Sequence, residues 1–202
     1  ATTKKENPNI RIKEVVSFDP TKISWSDNPL NGIETNKEYF FNAQDLVTAV
    51  YRPFFKQHLY FNRMLNERVY QMPKLFPIPD TKNLVICVSG IGASKDFSVL
   101  MTDCVPDLQL QFNGQCFPLY YYEANTSIKA DLFGGGSGEA YVRREGVSDF
   151  ILGQARALYG KEVQKEDVFY YVYGVLHSPE YRLRFAADVK KMLPRIPLVN
   201  KG

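Results

Sequence analysis

The sequence is poor in the residues that build most catalytic centres. Its 202 residues include two histidines and three cysteines. His58 and His177 stand outside any HExxH pattern and the cysteines outside any CxxC pattern, which argues against a zinc site. Widely spaced cysteines within apolar runs instead predict reduced thiols in a cytoplasmic protein. No apolar run reaches the roughly 20 residues of a membrane helix, and the polar N-terminus is unlike a signal peptide.

Nucleotide-binding and catalytic motifs are missing as well. The segment SGIGASK at 89–95 lacks the GxxxxGK[ST] spacing of a phosphate loop, and Lys95 stands where a dinucleotide fingerprint has its third glycine. Glycines that relieve a tight turn between two strands are the simpler interpretation. The GxSxG, ExK nuclease and NPPY patterns are also absent. The sequence therefore predicts no catalytic residue and no metal, and a nucleotide-binding enzyme that depends on Lys95 remains the weakest alternative.

The first two thirds of the chain have the pattern of strands. Apolar residues make up 45% of the sequence, enough for a packed core. Short β-branched or aromatic runs separated by Pro, Gly and Asp turns predict strands at 10–18, 58–62, 83–89, 97–103 and 115–123. Asn42 is a plausible N-cap for a helix through 43–50, which Pro53 would end. The segment SDNPLNG at 26–32 is predicted to be a loop.

The character of the sequence changes after GGGSG at 134–138. Ser148 predicts the start of a helix that Gly160 closes, and KEDVFYYVYGVLH predicts a second helix that ends near Ser178. Pro179 suits the first turn of a third helix through 192. We therefore predict an α+β fold with three parts: a β-rich body at 1–133, a glycine-rich linker at 134–147 and a three-helix C-terminal subdomain at 148–202.

Basic charge is concentrated in one aromatic segment. The net charge is +3, yet residues 51–76 alone contain five basic residues and one acidic residue, Glu67. Within YRPFFKQHLYFNRMLNERVY at 51–70, the cations could neutralise phosphates and the rings could stack on bases. The aromatic side chains through Phe61 could equally be core, with the arginine stems lying across a sheet. Composition leaves both interpretations open.

Several longer strings resemble one protein family. The strings LVTAVYRPFFKQHLYF, RMLNERVYQMPKLFP, NLVICVSGIGASKDFSVLMTDCVPDLQL, QCFPLYYYE and EDVFYYVYGVLHSPEYRLRFAADVKKMLPRIPL occur in this order. Together they resemble the C-terminal target-recognition domain of Type ISP restriction–modification enzymes. The resemblance covers about 10–133 and 148–198. The GGGSG segment and the end at Gly202 depart from the family pattern and leave the boundary of the tail open.

The resemblance implies a role and a set of partners. In that family a nuclease, a translocase motor, an adenine methyltransferase and the recognition domain share one polypeptide in a prokaryotic cytoplasm. The recognition domain grips double-stranded DNA while the methyltransferase acts on a flipped adenine. S-adenosylmethionine and ATP with Mg²⁺ are then expected only in the full-length enzyme, so this chain would be an excised domain or a truncated homologue. A docking domain that couples the modules of a large enzyme is the alternative.

The resemblance also divides the candidate contacts. Family members read different DNA sequences, so residues within the shared strings are expected to hold the scaffold or to contact phosphate, which every duplex offers. The phosphate candidates are Arg52, Lys56, Arg63, Arg68 and Lys95. Base-reading residues are expected in the loops at 27–38, 107–114 and 124–147, because Asn, Gln, Lys and Arg side chains suit base edges. The candidates there are Asn28, Asn31, Asn36, Lys37, Gln109, Gln111 and Asn113.

Overall fold

The structure of the chain is a computed structural model that describes residues 6–22, 24–126 and 140–200. Two compact units make up the chain, the first formed by Ala1–Val47 with His58–Gln71 and the second by Thr48–Gln57 with Met72–Gly202. Helices and strands are mixed, so the α+β prediction is confirmed. Within the described residues, no helix is long and apolar enough to span a membrane. The glycine-rich segment at 134–138 lies outside the described residues, and the division at 133 and 148 stays a prediction.

The first unit begins with two helices that the sequence did not predict. Helix α1 spans Ile12–Val15, where we expected a strand, and helix α2 spans Asp27–Glu34, where we expected a loop. Ser26 precedes α2 without capping it through its side chain. The Glu67 carboxylate instead accepts a hydrogen bond from the Asn28 N–H at 3.0 Å, which satisfies one of the N-terminal donors of α2. A cap that comes from 39 residues away leaves no local signal.

The predicted helix at 43–50 is wrong. Only a short 3-10 helix, Ala43–Asp45, forms there, and the chain then runs as strand β1 over Leu46–Arg52. Asn42 is a cap as expected, because its side chain accepts a hydrogen bond from the Gln44 N–H at 3.1 Å. Burial alternates from Leu46 to Ala49, which is the two-residue period of a strand, and Val50 is buried as well. Strand β2 follows at Phe55–Tyr60, so the strand predicted at 58–62 begins earlier.

The second unit contains the sheet predicted from the apolar runs. Strand β3, Val85–Val88, is buried along its whole length and lies between β4, Val99–Thr102, and β6, Gln115–Pro118. Both neighbours are antiparallel to β3, with Cys87 opposite Leu100 on one side and Cys116 on the other. Strand β5, Val105–Pro106, pairs in parallel with β1 and completes a sheet of order β2-β1-β5.

A two-stranded sheet and five helices complete the described part of the second unit. Strand β7, Tyr120–Ala124, pairs with β8, Tyr141–Glu145, and a single helical turn, α3, occupies Met72–Leu75. Helix α4 spans Asp149–Tyr159 and α5 spans Lys165–His177, and both were predicted from the sequence. The predicted third helix is broken at Phe185 into α6, Pro179–Arg184, and α7, Ala186–Val189. Phe185 leaves helical geometry (φ −108°, ψ 18°) and its ring packs on Tyr181, with centroids 4.9 Å apart.

The main core joins the central sheet to the C-terminal helices. Ile86 and Val88 of β3 pack in one buried cluster with Phe169 and Leu176 of α5 and with Tyr181 of α6. Burying each of these apolar side chains contributes about 1.5–3 kcal/mol. A second small cluster holds α4 on α5. The strands and helices of this unit therefore share a core.

The glycines of the SGIGASK segment have structural roles. Gly90 lies under the turn at 112–113, where an added Cβ would come within 2.3 Å of the Asn113 carbonyl oxygen. Gly92 has φ +73°, which L side chains rarely adopt. Strand β4 follows this segment directly, and no helix lies there to receive a phosphate at its N-terminus. These roles favour the interpretation of the glycines as turn residues over a phosphate loop.

Replacing Gly90 with alanine is expected to lower the free energy of unfolding by about 1–3 kcal/mol, because the new methyl group would meet a backbone carbonyl that cannot move away cheaply. Gly153→Ala is the matched control, since a Cβ at this position of α4 meets nothing within 4 Å and alanine favours a helix. Denaturant unfolding of the two variants measures the difference. Equal stability of the two variants would contradict this role for Gly90.

A tyrosine–glutamate hydrogen bond fastens β7 to α5. Tyr120 Oη donates to Glu166 Oε1 at 2.6 Å, and the Arg143 guanidinium lies 4.3 Å from the centre of the Tyr120 ring. The hydrogen bond with Glu166, together with burial, raises the pKa of Tyr120 to about 12 and lowers the pKa of Glu166. The folded state therefore holds the Tyr120 proton more tightly than the unfolded state does.

This shift predicts a loss of stability at alkaline pH. Between the ordinary tyrosine pKa of 10.0 and about 12, the unfolded state loses the proton while the folded state keeps it, so the unfolding free energy falls as pH rises. Tyr120→Phe is expected to flatten this decline, and Tyr70→Phe, at an exposed site, serves as the control. Denaturant unfolding across this pH range measures how the unfolding free energy of each variant changes with pH. Parallel curves for the wild type and Tyr120→Phe would contradict the assignment.

Candidate nucleic-acid interface

Two of the five phosphate candidates are paired with carboxylates in the second unit. Arg52 Nη1 lies 3.5 Å from Asp107 Oδ1, and its guanidinium stacks 3.9 Å from the centre of the Tyr51 ring. Lys56 Nζ lies 2.7 Å from Asp103 Oδ1. The hydrogen bond from Lys56 lowers the pKa of Asp103, and the same bond raises the pKa of Lys56. These two cations are already neutralised, so the structure favours their interpretation as scaffold ties.

Arg63 and Arg68 stand on the first unit with exposed side chains. Neither forms an ion pair or a side-chain hydrogen bond among the residues that the structure describes. The turn that carries Arg63 is held by Asn66, whose Nδ2 donates to the Tyr60 and Asn62 carbonyls at 2.8 and 2.9 Å. An unpaired guanidinium on a braced turn is well suited to contact a phosphate.

Lys95 lies on the loop between β3 and β4 and is exposed. The loop is fastened to the C-terminal helical segment: the Gly92 N–H donates to the Lys190 carbonyl at 3.0 Å, and Lys190 Nζ lies 3.1 Å from Asp96. Arg182 Nη2 also donates to the Phe97 carbonyl at 2.9 Å. Lys95 itself has no ion pair in the described part of the chain. It is therefore a second position at which a fixed loop presents an unpaired cation.

Four base-reading candidates lie on α2 and just beyond its end. Asn28 and Asn31 are exposed on the helix, and Asn36 and Lys37 are exposed after it. Asn36 has φ +59°, a left-handed conformation that asparagine tolerates, and the Lys37 ammonium lies 5.8 Å from the centre of the Tyr39 ring. Helices and the turns at their ends are common elements for entering the major groove. These side chains were expected in a loop, but Asn28 and Asn31 lie on a helix.

The remaining three candidates occupy the turn before β6. Gln109 Nε2 donates to Asn113 Oδ1 at 2.6 Å, and both side chains are exposed. Gln111 is 5% exposed and its Oε1 accepts a hydrogen bond from Ser98 Oγ, so its amide holds the turn and does not face solvent. Phe112 and Asn113 have positive φ, which gives the turn its sharp reversal. Gln109 and Asn113 therefore remain candidates, and Gln111 is better explained as a structural residue.

The aromatic side chains of the basic segment are more exposed than the core interpretation predicts. Phe54 is 93% exposed with φ +65°, and Tyr51 and Phe55 are also exposed. In the first unit, Phe41 stacks on Tyr60 with centroids 5.5 Å apart. The core interpretation, one of the two left open by composition, is therefore wrong for 51–55. The sequence contained a signal for this exposed turn, because Pro53 and the two phenylalanines after it suit a hairpin turn as well as a buried run.

Two arginines of β8 lie within 124–147, the third segment in which base-reading residues are expected. Arg143 and Arg144 are both exposed, and Arg144 Nε lies 3.0 Å from Glu123 on the paired strand. Arg143 covers the Tyr120 ring. Segment 127–139, which contains most of the third predicted base-reading loop, lies outside the described residues. No group of three or more His, Cys, Asp or Glu side chains suited to a metal occurs in the described residues.

The family of the chain follows from comparison with known proteins. The model of the Type ISP C-terminal specificity domain matches residues 1–202, and the chain belongs to this family. No curated protein sequence has a significant similarity to the chain. The resemblance drawn from the sequence strings is therefore confirmed.

Three similar solved structures are complexes with DNA. The ATP-dependent Type ISP restriction–modification enzyme LlaBIII bound to DNA shares 29% identity over 89% of this chain, with a TM-score of 0.72. A DrdV–DNA complex solved by cryo-EM shares 32% identity over 97% (TM-score 0.75). A nuclease-deletion mutant of the Type ISP enzyme LlaGI with a DNA substrate mimic shares 33% identity over 97% (TM-score 0.68). The match covers 11%, 18% and 16% of those chains, so this chain corresponds to one part of each.

Proposed function

We propose that the chain recognises a specific sequence of double-stranded DNA as the target-recognition domain of a multidomain restriction–modification enzyme. The observation that carries this proposal is the match of the specificity-domain family over residues 1–202. The three similar structures support it, because each was solved with DNA. The exposed, unpaired cations give the chain groups that can contact phosphates.

Phosphate contact and base reading would fall to different residues. Arg63, Arg68 and Lys95 would anchor the backbone of any duplex, since their charges have no carboxylate partner in the described residues. The side chains on and after α2, together with Gln109 and Asn113, would read base edges in a groove. The prediction for Arg52 and Lys56 changes from phosphate anchors to ties that hold the β1–β2 hairpin.

The role proposed here is to select and position DNA, without chemistry by this chain. An adenine methyltransferase and an ATP-dependent motor with a nuclease would be partner domains of the same polypeptide. S-adenosylmethionine and ATP with Mg²⁺ would bind to those domains. A cytoplasmic location in a prokaryote belongs to the same proposal, since the DNA substrate and the cofactors are found there.

Docking between enzyme modules is the second candidate, and the exposed apolar side chains favour it. Phe54 on the hairpin, Phe150 on α4 and Leu183 on α6 all project into solvent. Exposed large apolar side chains often mark protein contacts. The two candidates are compatible in one domain, but only DNA recognition requires affinity for a duplex.

A salt titration of duplex binding separates the two candidates. We expect the chain to bind duplex DNA at low salt. The logarithm of the binding constant should fall linearly with the logarithm of the salt concentration, with a slope of about −0.9 for each phosphate contacted. Exchanging the α2 region and the 107–114 turn between two family members should also exchange their DNA sites. Absence of duplex binding at low salt, together with an unchanged site after the exchange, would leave docking as the function.

A further inference from the structure

We propose that Cys87 and Cys116 form a peroxide-sensitive dithiol site that closes to a disulfide within the folded protein. The two residues face each other across the antiparallel pair of β3 and β6. Their Sγ atoms lie 3.5 Å apart, although 29 positions separate them in the sequence. This pairing is invisible in the sequence, where neither cysteine belongs to a recognisable spacing.

The backbone geometry already suits a disulfide. Directly opposed residues of an antiparallel pair have Cα atoms about 4.5–5.5 Å apart, and disulfides span about 4.4–6.8 Å between Cα atoms. Only the two sulfur atoms need to approach, from 3.5 Å to the bond length of about 2.05 Å. Small rotations of both side chains achieve this approach without moving the strands.

The two thiols differ in ways that assign them different roles. Cys87 is 1% exposed on the central strand, whereas Cys116 is partly exposed on the edge strand β6. The hydrogen bond between the two thiols lowers the pKa of Cys116 and raises the pKa of Cys87. Cys116 is therefore the sulfur that an oxidant reaches first, and Cys87 is the resolving thiol.

The chemistry balances with hydrogen peroxide as the oxidant. The Cys116 thiolate attacks one peroxide oxygen, the O–O bond breaks, and hydroxide leaves and takes up a proton as water, which leaves a sulfenic acid on Cys116. The Cys87 sulfur then attacks the Cys116 sulfur, the S–O bond breaks, and the departing hydroxide takes the Cys87 proton as the second water. Two thiols are oxidised and one peroxide is reduced.

The third cysteine provides an internal control. Cys104 is buried, its Sγ lies 3.3 Å from Thr102 Oγ1, and burial raises its pKa. It has no second sulfur at bonding distance among the described residues. We therefore expect Cys104 to remain a thiol when the other two cysteines react.

Counting thiols after peroxide treatment tests the proposal. The native chain is treated, unfolded, labelled with maleimide and weighed, and the three thiols of the sequence are expected to fall to one. Peptide mapping should place the bond between Cys87 and Cys116 within one chain, and a dithiol reductant should restore all three thiols. The disulfide-linked form should also melt about 5–10 °C higher, because the bond lowers the conformational entropy of the unfolded chain.

Variants sharpen the same test. Cys104→Ser should still lose both of its remaining thiols, and Cys116→Ser should lose none. Three thiols that survive treatment of the wild type, a bond that includes Cys104, or a bond between two chains would each overturn the proposal. The peptide map of the wild-type chain tests the proposal even if a variant does not fold.

Discussion

Replacing Asn83 with alanine is expected to lower the free energy of unfolding by about 3 kcal/mol, the largest single-residue effect that we anticipate. Asn83 is 6% exposed and its side-chain amide satisfies four backbone groups. Its Nδ2 donates to the carbonyls of Leu75 and Tyr120 at 2.9 and 2.8 Å. Its Oδ1 accepts from the N–H groups of Leu84 and Tyr120 at 2.8 and 3.1 Å. One amide therefore joins α3, the start of β3 and the start of β7.

The cost arises because the alanine methyl group can replace none of these bonds. Backbone groups that lose a partner while buried retain their desolvation penalty of about 1–3 kcal/mol each, and only partial access by water would reduce the total. Asn83→Asp separates the two hydrogen bonds that the side chain donates from the two that it accepts. A carboxylate still accepts from Leu84 and Tyr120, but it cannot donate to the two carbonyls, so we expect a loss of similar size.

Denaturant unfolding, with Asn200→Ala as an exposed control, measures both effects. Asn200→Ala is expected to change stability by less than about 0.5 kcal/mol. A loss below 1 kcal/mol for Asn83→Ala would show that water or a shifted backbone satisfies these groups. That outcome would contradict a central structural role for Asn83.

The combined variant Arg63→Ala/Arg68→Ala is expected to weaken duplex binding roughly 10- to 100-fold at low salt while leaving the fold intact. Both side chains are exposed, and their removal breaks no ion pair among the described residues. If each arginine contacts one phosphate, the slope of the log binding constant against log salt concentration should become smaller in magnitude by about 1.8. Because phosphates carry no sequence information, the loss should be the same for all DNA sequences.

Arg184→Ala/Arg195→Ala is the matched control, since it removes two exposed arginines outside the predicted contact segments. Binding isotherms over a range of salt, with melting temperatures for each variant, separate charge loss from unfolding. Equal weakening by both double variants would mean that only net charge matters. Loss of the fold in the Arg63/Arg68 variant would make these arginines scaffold ties.

Local signals predicted the elements whose ends are determined locally. Ser148 caps α4 through its side chain, Gly160 closes it with φ +125°, and Pro179 opens α6, all as the residue types indicated. The buried run at 85–88 could be recognised as a strand because every residue in it is apolar. These elements need no distant partner for their assignment.

Elements that depend on distant residues could not be predicted from local patterns. Helix α2 depends on Glu67 for its cap, and β1 pairs through Ala49 and Val50 with the distant strand β5. For the site, composition located the basic segment but could not show that Asp103 and Asp107 already hold two of its cations. Burial of Gln111 depends likewise on Ser98, which lies 13 residues away.

The basic aromatic segment is now better defined than its composition allowed. Arg52 and Lys56 belong to ion pairs, whereas Arg63 and Arg68 remain available to a ligand. Phe54 is an exposed tip and does not belong to the core. The segment therefore combines structural ties with two candidate anchors, and base selection is expected from other parts of the chain.

Selection of bound duplexes from a random-sequence pool tests the central claim most directly. We expect rounds of binding by the chain to enrich one short DNA sequence, and substitution of exposed α2 residues such as Asn28 and Asn31 to change that sequence without abolishing binding. A pool that remains random although the chain retains DNA, or a chain that retains no duplex at low salt, would contradict sequence-specific DNA recognition.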